Sequence, residues 1–402
     1  MSDFYQTGII TTLHSLGKPS LERIEGELLQ FSRQRPIALV LPALYSEFEG
    51  TAMPGIVQEL AKVRYLAEVV LVLDKASVAE FQHVRRFLSP IAADVKVIHN
   101  DGRRILEIYD TLKRNGLDSG QRGKGRSAWL AYGYVLASGK CDVIALHDCD
   151  IVNYNRHLLA RLCYPVANPN LDYVFCKGYY SRVTNKMHGR VTRLLVTPLV
   201  RSLAALAGDH PFLRFLDSFR YPLSGEFAMN TDLARVNRIP WDWGLEVGSL
   251  AEVHRNHSPR RVCQVDIADT YEHKHQSLSA EDPAKGLMKM TVDICKSMFR
   301  TLASEGVVFS DGFFKSLSVA YLRQAEDTIA KYEADAAING LEFDRHEEAR
   351  AVDSFTRAIS IAADAYMRDP LGAPLIPNWN RVTSAIPGML PMLKKAVDED
   401  NL

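Results

Sequence analysis

The sequence predicts an α/β domain with a mainly parallel sheet flanked by helices, extended at its C-terminal side by a helical region. Three observations carry this. Short apolar runs alternate with helix-period segments over roughly the first 150 residues, as in right-handed βαβ crossovers. The apolar runs end in turn residues or carboxylates rather than continuing. Beyond residue 282 the apolar residues recur at three- and four-residue intervals, which is a helical period.

In chain order, residues 1–35 are expected to be a helical lead-in. PIALVLPAL (36–44) is the first strand, stopped by Pro42. A helix over PGIVQELAKVRYL precedes the second strand, AEVVLVLDKA (67–76). VAEFQHVRRFL is helical, DVKVIHND is the third strand, and a helix opens at GKG (123–125) before the fourth strand, CDVIALHD (141–148). The order is mixed from about residue 172, with a further strand in RVCQVDIADTY. The sheet domain is placed at 36–281 and the helical region at 282–402, where Pro370, Pro374, Pro377 and Pro387 break up the tail. The apolar positions of 286–335 are more than an isolated appendage could leave exposed. They predict packing on the sheet or a homodimer interface.

Bulk properties narrow the class. Of 402 residues 47% are apolar and 24% charged, as in soluble globular proteins, and Lys+Arg equals Asp+Glu at 48 each. That balance gives no global attraction to nucleic acid or anionic membrane. No run approaches the ~18 apolar residues of a spanning helix, and the N-terminus has neither the basic start nor the apolar core of a signal peptide. Six scattered cysteines without CxxC spacing read as reduced core thiols of a cytoplasmic protein.

The informative stretch is HDCDIVNY (147–154). Asp148 and Asp150 repel each other at the end of an apolar strand, which is costly unless a cation or hydrogen bonds compensate them. A capped turn with one solvated carboxylate is the plain explanation for such a pair. In an α/β sheet, however, ligands sit beyond the carboxyl ends of the strands, where Asp74 also falls. Hard oxygen ligands at that place suit Mg²⁺ or Mn²⁺ with a diphosphate, as in the nucleotide-sugar site of GT-A glycosyltransferases. GKG places Lys124 and backbone N–H groups at a helix start, where phosphate binds. HKH (273–275) offers imidazoles as surface residues or as a third metal ligand. HGRVTRLLVTPL (188–199) sets Arg190, Thr192 and Arg193 at a basic helix start, suited to solvent or to an anionic acceptor.

Taken in order, LPALYSE, GKG, HDCD, KGYYSRV, GRVTRLLVTPL, YPLSGEFA, WGLEVG and DTYEHKH resemble the glucosyl-3-phosphoglycerate and mannosyl-3-phosphoglycerate synthases over roughly residues 36–280. These are retaining enzymes of the Rossmann-like GT-A fold. They transfer a sugar from a nucleoside diphosphate to the 2-hydroxyl of 3-phosphoglycerate, a route to glucosylglycerate-type compatible solutes. The resemblance implies Asp150 and His273 as metal ligands, with Asp148 beside the metal or ribose. It implies that Pro42, Ala43 and Glu47 hold base and ribose, and that Lys124 meets the nucleotide. Leu223 and Glu226 would border the sugar, Glu246 would bind its hydroxyls, and His275 would make a polar donor-side contact. Arg190 and Thr192 would grip the acceptor phosphate, for which a planar guanidinium is apt.

The chain departs from the family where DKAS (74–77) replaces an Asp-Ser-Gly-Ser-like turn, where YSE leaves only Glu47 of a carboxylate pair, and where HDCD replaces Asp-Ser-Asp. UDP- and GDP-linked donors, glucose and mannose all remain open at this point. For a retaining transferase without an obvious nucleophile, the expected reaction occurs on one face through an oxocarbenium-like state. Arg190, Asp150 and Glu246 would be the key groups there, with Glu246 as a covalent nucleophile the less favoured variant. A catalytically dead scaffold would not need both aspartates, His273 and Arg190. A nucleotidyltransferase would want a Gly-rich loop that LPALYSEFEG lacks.

Overall fold

The computed structural model describes residues 6, 8–17, 20–272, 286–372 and 375–402. Strand β1 (Thr11–Leu13) and helix α1 (Leu21–Phe31) come first, so the lead-in contains a strand as well as the expected helix. Then follow β2 (Ile37–Leu44), α2 (Ala52–Leu60), β3 (Leu66–Asp74), α3 (Val78–Phe87), β4 (Asp94–His99), α4 (Arg103–Arg114), α5 (Lys124–Ser138) and β5 (Val143–Leu146). The four strands expected here are all present. β2 continues through Pro42, because beyond Val40 it has lost β5 and keeps only β3 as a neighbour, an edge-like position that tolerates proline.

The middle of the chain supplies α6 (Arg156–Ala167), β6 (Phe175–Tyr180), a π-helical turn (Val191–Val196) running into α7 (Thr197–Ala207), α8 (Pro211–Asp217), β7 (Phe227–Asn230), α9 (Thr231–Val236), α10 (Leu245–Asn256) and β8 (Val262–Ala268). The C-terminal part is helical: α11 (Gly286–Ser304), α12 (Asp311–Ile338), α13 (Arg345–Arg368), α14 (Trp379–Ala385) and α15 (Met389–Asp400).

Among the described residues eight strands form one sheet in the order β1-β8-β6-β7-β5-β2-β3-β4. All neighbours are parallel except β7, which runs antiparallel to β5 and β6. Both faces are covered, which is why β2 and β3 read as nearly continuous apolar runs. Within β2 the faces still alternate. Ala38 and Val40 join a core shared with α4, α5 and α7–α15, whereas Ile37, Leu39, Leu41 and Ala43 join one shared with α1, α2, α3 and α6.

The first of these cores answers where the apolar surface of 286–335 goes. Ile294, Cys295, Met298 and Phe299 of α11 and Leu317 and Tyr321 of α12 are buried in it within this one chain. Trp129 of α5 stacks on Trp379 of α14 with centroids 4.3 Å apart, and each indole N–H donates to a backbone carbonyl of the opposing segment. At the far edge, the Asn401 side chain forms two hydrogen bonds with the backbone of Val97 in β4, at 3.0 and 2.8 Å. All six cysteines are buried free thiols, and no helix among the described residues is long and apolar enough to cross a membrane.

Candidate active site

Alternation continues past the end of β5. His147 and Cys149 turn inward, 0% and 3% exposed, while Asp148 and Asp150 face a cavity of about 930 Å³ at the carboxyl ends of the strands. His147 is held by Nδ1 against the Asp148 carbonyl oxygen at 2.8 Å, and burial lowers its pKa. Two residues of HDCD therefore anchor the turn and two present oxygen to the cleft.

Lys124 is the first residue of α5 and lines the same cavity. Its neighbours explain the glycines around it: a Cβ on Gly123 would lie 2.3 Å from the Trp241 carbonyl oxygen, and one on Gly125 1.9 Å from that of Pro240. The Lys124 ammonium stands 2.6 Å from Asp148 and 3.1 Å from Glu246, the latter in the first turn of α10. Burial alone would lower the Lys124 pKa, but Asp148 and Glu246 outweigh it and raise it well above the ordinary value. Gly225 passes so close that a Cβ there would meet Asp148 Oδ2 at 2.4 Å and Lys124 Nζ at 2.9 Å.

Asp150 carries the strongest sign of a cation site. Its carboxyl is pushed up to about 7, by burial first and then by the Asp148 and Glu47 carboxylates. Glu47, in a 3-10 turn after β2, lines the cleft with them. A hard-oxygen side chain buried beside two further carboxylates suits Mg²⁺ or Mn²⁺, whose charge would offset their repulsion. His273 and His275 lie outside the described residues. Among the described residues no group of three His, Cys, Asp or Glu is arranged closely enough to hold a metal by itself.

The other expected residues divide between the cleft wall and the layer behind it. Leu223, Glu246, Arg190 and Thr192 line the cavity. Pro42 and Ala43 remain in β2. Asp74 ends β3, is 5% exposed, and pairs with Arg122 at 3.0 Å; burial nevertheless raises its pKa. Lys75, beside it, adopts a left-handed φ of 56°. Glu226 is fully buried and accepts from Tyr180 at 2.8 Å, Tyr271 at 2.6 Å and Ser224 at 2.9 Å, with the two tyrosine rings stacked at 3.7 Å. It braces the wall through Tyr180 rather than facing the cleft.

Arg190 stands just before the π-helical turn, a feature that often marks functional sites. All three of its guanidinium nitrogens meet carboxylates of α13: Nε meets Glu348 at 2.7 Å, and Nη1 and Nη2 meet Glu347 at 3.0 and 2.8 Å. Arg193 donates to the other Glu348 oxygen at 2.9 Å. Sequence reasoning placed this stretch in the helical region but did not bring it to the cleft. Its signal was present as polar residues at helical spacing, Glu347, Arg350, Ser354 and Arg357, on a helix whose other side carries the apolar residues Val352, Phe355 and Ile359.

No protein-family model matches the chain. It is 51% identical over 401 residues to the glucosyl-3-phosphoglycerate synthase of Persephonella marina, covering 100% of this chain and 99% of that one. It is 40% identical over 406 residues to the glucosyl-3-phosphoglycerate synthase of Methanococcoides burtonii, covering 99% and 98%. Among solved structures, the fold is similar to glucosyl-3-phosphoglycerate synthase from Mycobacterium tuberculosis in complex with Mg²⁺ and uridine diphosphate. That likeness has a TM-score of 0.53 at 21% identity and covers 76% of this chain and 89% of that one.

Proposed function

Because the chain belongs to the glucosyl-3-phosphoglycerate synthase family, we propose that it transfers glucose from UDP-glucose to the 2-hydroxyl of 3-phosphoglycerate with retention. The observation that carries this reading is one cleft holding both kinds of group the reaction needs. Acidic Asp148 and Asp150 lie beside Lys124 and Glu246, and Arg190 and Thr192 share the same cavity. Its volume is in the range of small-molecule sites. The uridine donor is favoured over a guanosine one by the similar fold whose structure holds uridine diphosphate.

Asp148 and Asp150 would hold a divalent ion, with Glu47 nearby and His273 as the ligand implied by resemblance. When bound, that ion supplies charge neutralisation for the leaving diphosphate. Lys124 adds a fixed positive charge at the start of α5, where the helix dipole also favours an anion. Glu246, held by Lys124, accepts hydrogen bonds from sugar hydroxyls and fixes the ring. Arg190 and Thr192 hold the acceptor phosphate so that its 2-hydroxyl approaches the sugar on the face the diphosphate leaves. The bond from C1 to the diphosphate oxygen breaks, the bond from C1 to the acceptor oxygen forms, and the acceptor proton passes to the leaving oxygen. Protein groups thus position the reactants and stabilise charge.

A homodimer is part of the proposal. Val319 and Leu322 are exposed on the outer side of α12, an apolar strip that a second copy would cover. Sedimentation at micromolar concentration decides this, and a monomer refutes it.

The reaction is tested by incubating purified protein and Mg²⁺ with UDP-glucose, GDP-glucose or GDP-mannose, each with 3-phosphoglycerate or glycerate. Products are read by mass spectrometry. Glucosyl-3-phosphoglycerate from UDP-glucose is expected, with glycerate a poor acceptor. No hexose transfer to 3-phosphoglycerate from any donor overturns the reading.

A further inference from the structure

Helix α13 is fastened to the loop that carries Arg190. Lys186 pairs with Glu342 in an isolated parallel bridge just ahead of the helix, and Glu342 N donates to the Asn185 carbonyl at 2.8 Å. Glu347 and Glu348 then hold Arg190, and Glu348 also holds Arg193. From Glu347 the same helix face continues through Arg350, Ser354 and Arg357, spaced three, four and three residues apart, and all of them line the cavity that holds Asp148 and Lys124. Ten residues of helix make about 15 Å of cleft wall.

Charge along this wall is unevenly used. Every nitrogen of the Arg190 guanidinium already faces a carboxylate, so an incoming phosphate meets a cation whose charge is largely offset. Arg350 and Arg357 make no ion pair among the described residues, and the one hydrogen bond of the Arg357 side chain is to Ser354 on its own helix, at 3.3 Å. Asp353 shares the wall and is likewise outside any ion pair among the described residues. Both arginines are exposed to the cleft, on a helix whose opposite side, including Val352, Phe355 and Ile359, is fixed in the core. This is a pair of guanidinium forks outside any ion pair among the described residues, carried on a helix fixed in the core and suited to an acceptor with two anionic groups.

We propose that Arg350 and Arg357 share with Arg190 and Thr192 the recognition of the acceptor's phosphate and carboxylate, so that α13 supplies a second half of the acceptor site. In this arrangement Glu347 and Glu348 keep Arg190 oriented. The proposal rests on the reading of the acceptor as a phosphorylated three-carbon acid, and it assigns the C-terminal helical region a share in specificity.

The test uses the full chain with Arg350→Ala, Arg357→Ala and the double variant. Steady-state kinetics are paired with calorimetric titration of 3-phosphoglycerate in the presence of UDP and Mg²⁺. Each single variant is expected to raise the KM and Kd for 3-phosphoglycerate tenfold or more, and the double variant further, with the KM for UDP-glucose within twofold of wild type. The preference for 3-phosphoglycerate over glycerate should shrink in step, and Arg350→Lys should restore part of it. Acceptor affinity within twofold of wild type in the double variant overturns the proposal, as does an equal change in donor KM. If the wild type binds 3-phosphoglycerate but does not glucosylate it, the proposed reaction fails. The titration still decides the arginines: binding lost in the double variant supports their role, and binding retained overturns it. A wild type that binds no 3-phosphoglycerate overturns both.

Discussion

The Lys124 ammonium and the Asp148 carboxylate meet at 2.6 Å where α5 begins. The pair is partly solvated, with about a third of the Asp148 side chain exposed, so it contributes little to folding, about 1 kcal/mol or less. Its importance lies in where it holds charge. Lys124→Met should therefore lower kcat by about a hundredfold or more, the usual effect of removing a preorganised charge, while Tm falls by only a few degrees. A calorimetric scan beside an activity assay separates the two, and a collapse of the fold would sink the assignment.

Asp150 is expected to be indispensable in a different way. Asp150→Ala should abolish transfer without destabilising the protein, because it removes a carboxylate that burial and its neighbours already penalise. EDTA should silence the wild type, and added Mg²⁺ or Mn²⁺ should restore it. Full activity after exhaustive chelation would refute a metal role for the aspartate pair.

Two glycines should respond differently to the same added methyl group. A Cβ on Gly225 meets the flexible ends of Asp148 and Lys124, which can yield at the expense of their geometry. Gly225→Ala should thus cost activity far more than stability. A Cβ on Gly125 meets the Pro240 carbonyl oxygen at 1.9 Å, backbone that cannot step aside, and overpacking of this kind costs about 1–3 kcal/mol or more. Gly125→Ala should lower Tm clearly, and denaturant titration of both variants checks the contrast.

Lys177 gives a pH signature. It is fully buried on β6, its Nζ has no hydrogen-bond partner among the described residues, and it lies 5.3 Å from the Phe227 ring centroid. Burial depresses its pKa to about 8 against the attraction of Glu246 and Glu226. Between about 8 and the ordinary 10.5 the unfolded chain keeps a proton that the folded chain has released, so folding gains stability as pH rises through that window. Relative to Lys177→Met, the wild type should gain stability across it at a slope approaching about 1.4 kcal/mol per pH unit. A difference that stays flat with pH would show that Lys177 is not held in a dry site.

The sequence made the sheet legible because its central strands are buried on both faces, leaving unbroken apolar runs. It also exposed Asp148, Asp150 and Lys124, which lie at strand and helix ends where local pattern and chemistry coincide. Strand β1 escaped, since three residues carry no period, as did β7, whose FAMN follows a glycine turn. The burial of Glu226 behind the cleft wall was not legible, because nothing local tells a carboxylate saturated by three hydroxyls from one open to the cleft. The hold of Glu347 and Glu348 on Arg190 spans 157 and 158 positions. A contact so distant leaves no periodic trace, and only the folded chain brings α13 to the cleft.

The Asn401 amide beside β4 acts as a stopper. β4 is one of the two edge strands of the sheet among the described residues, and an uncovered strand of that kind is a template on which another chain can add. By satisfying both backbone groups of Val97, Asn401 denies that template its middle position, and α15 shields the strand alongside it. One side chain thus closes the part of the edge that α15 runs beside. Asn401→Ala would leave catalysis untouched while inviting slow, concentration-dependent self-association, visible as light scattering long before any loss of turnover.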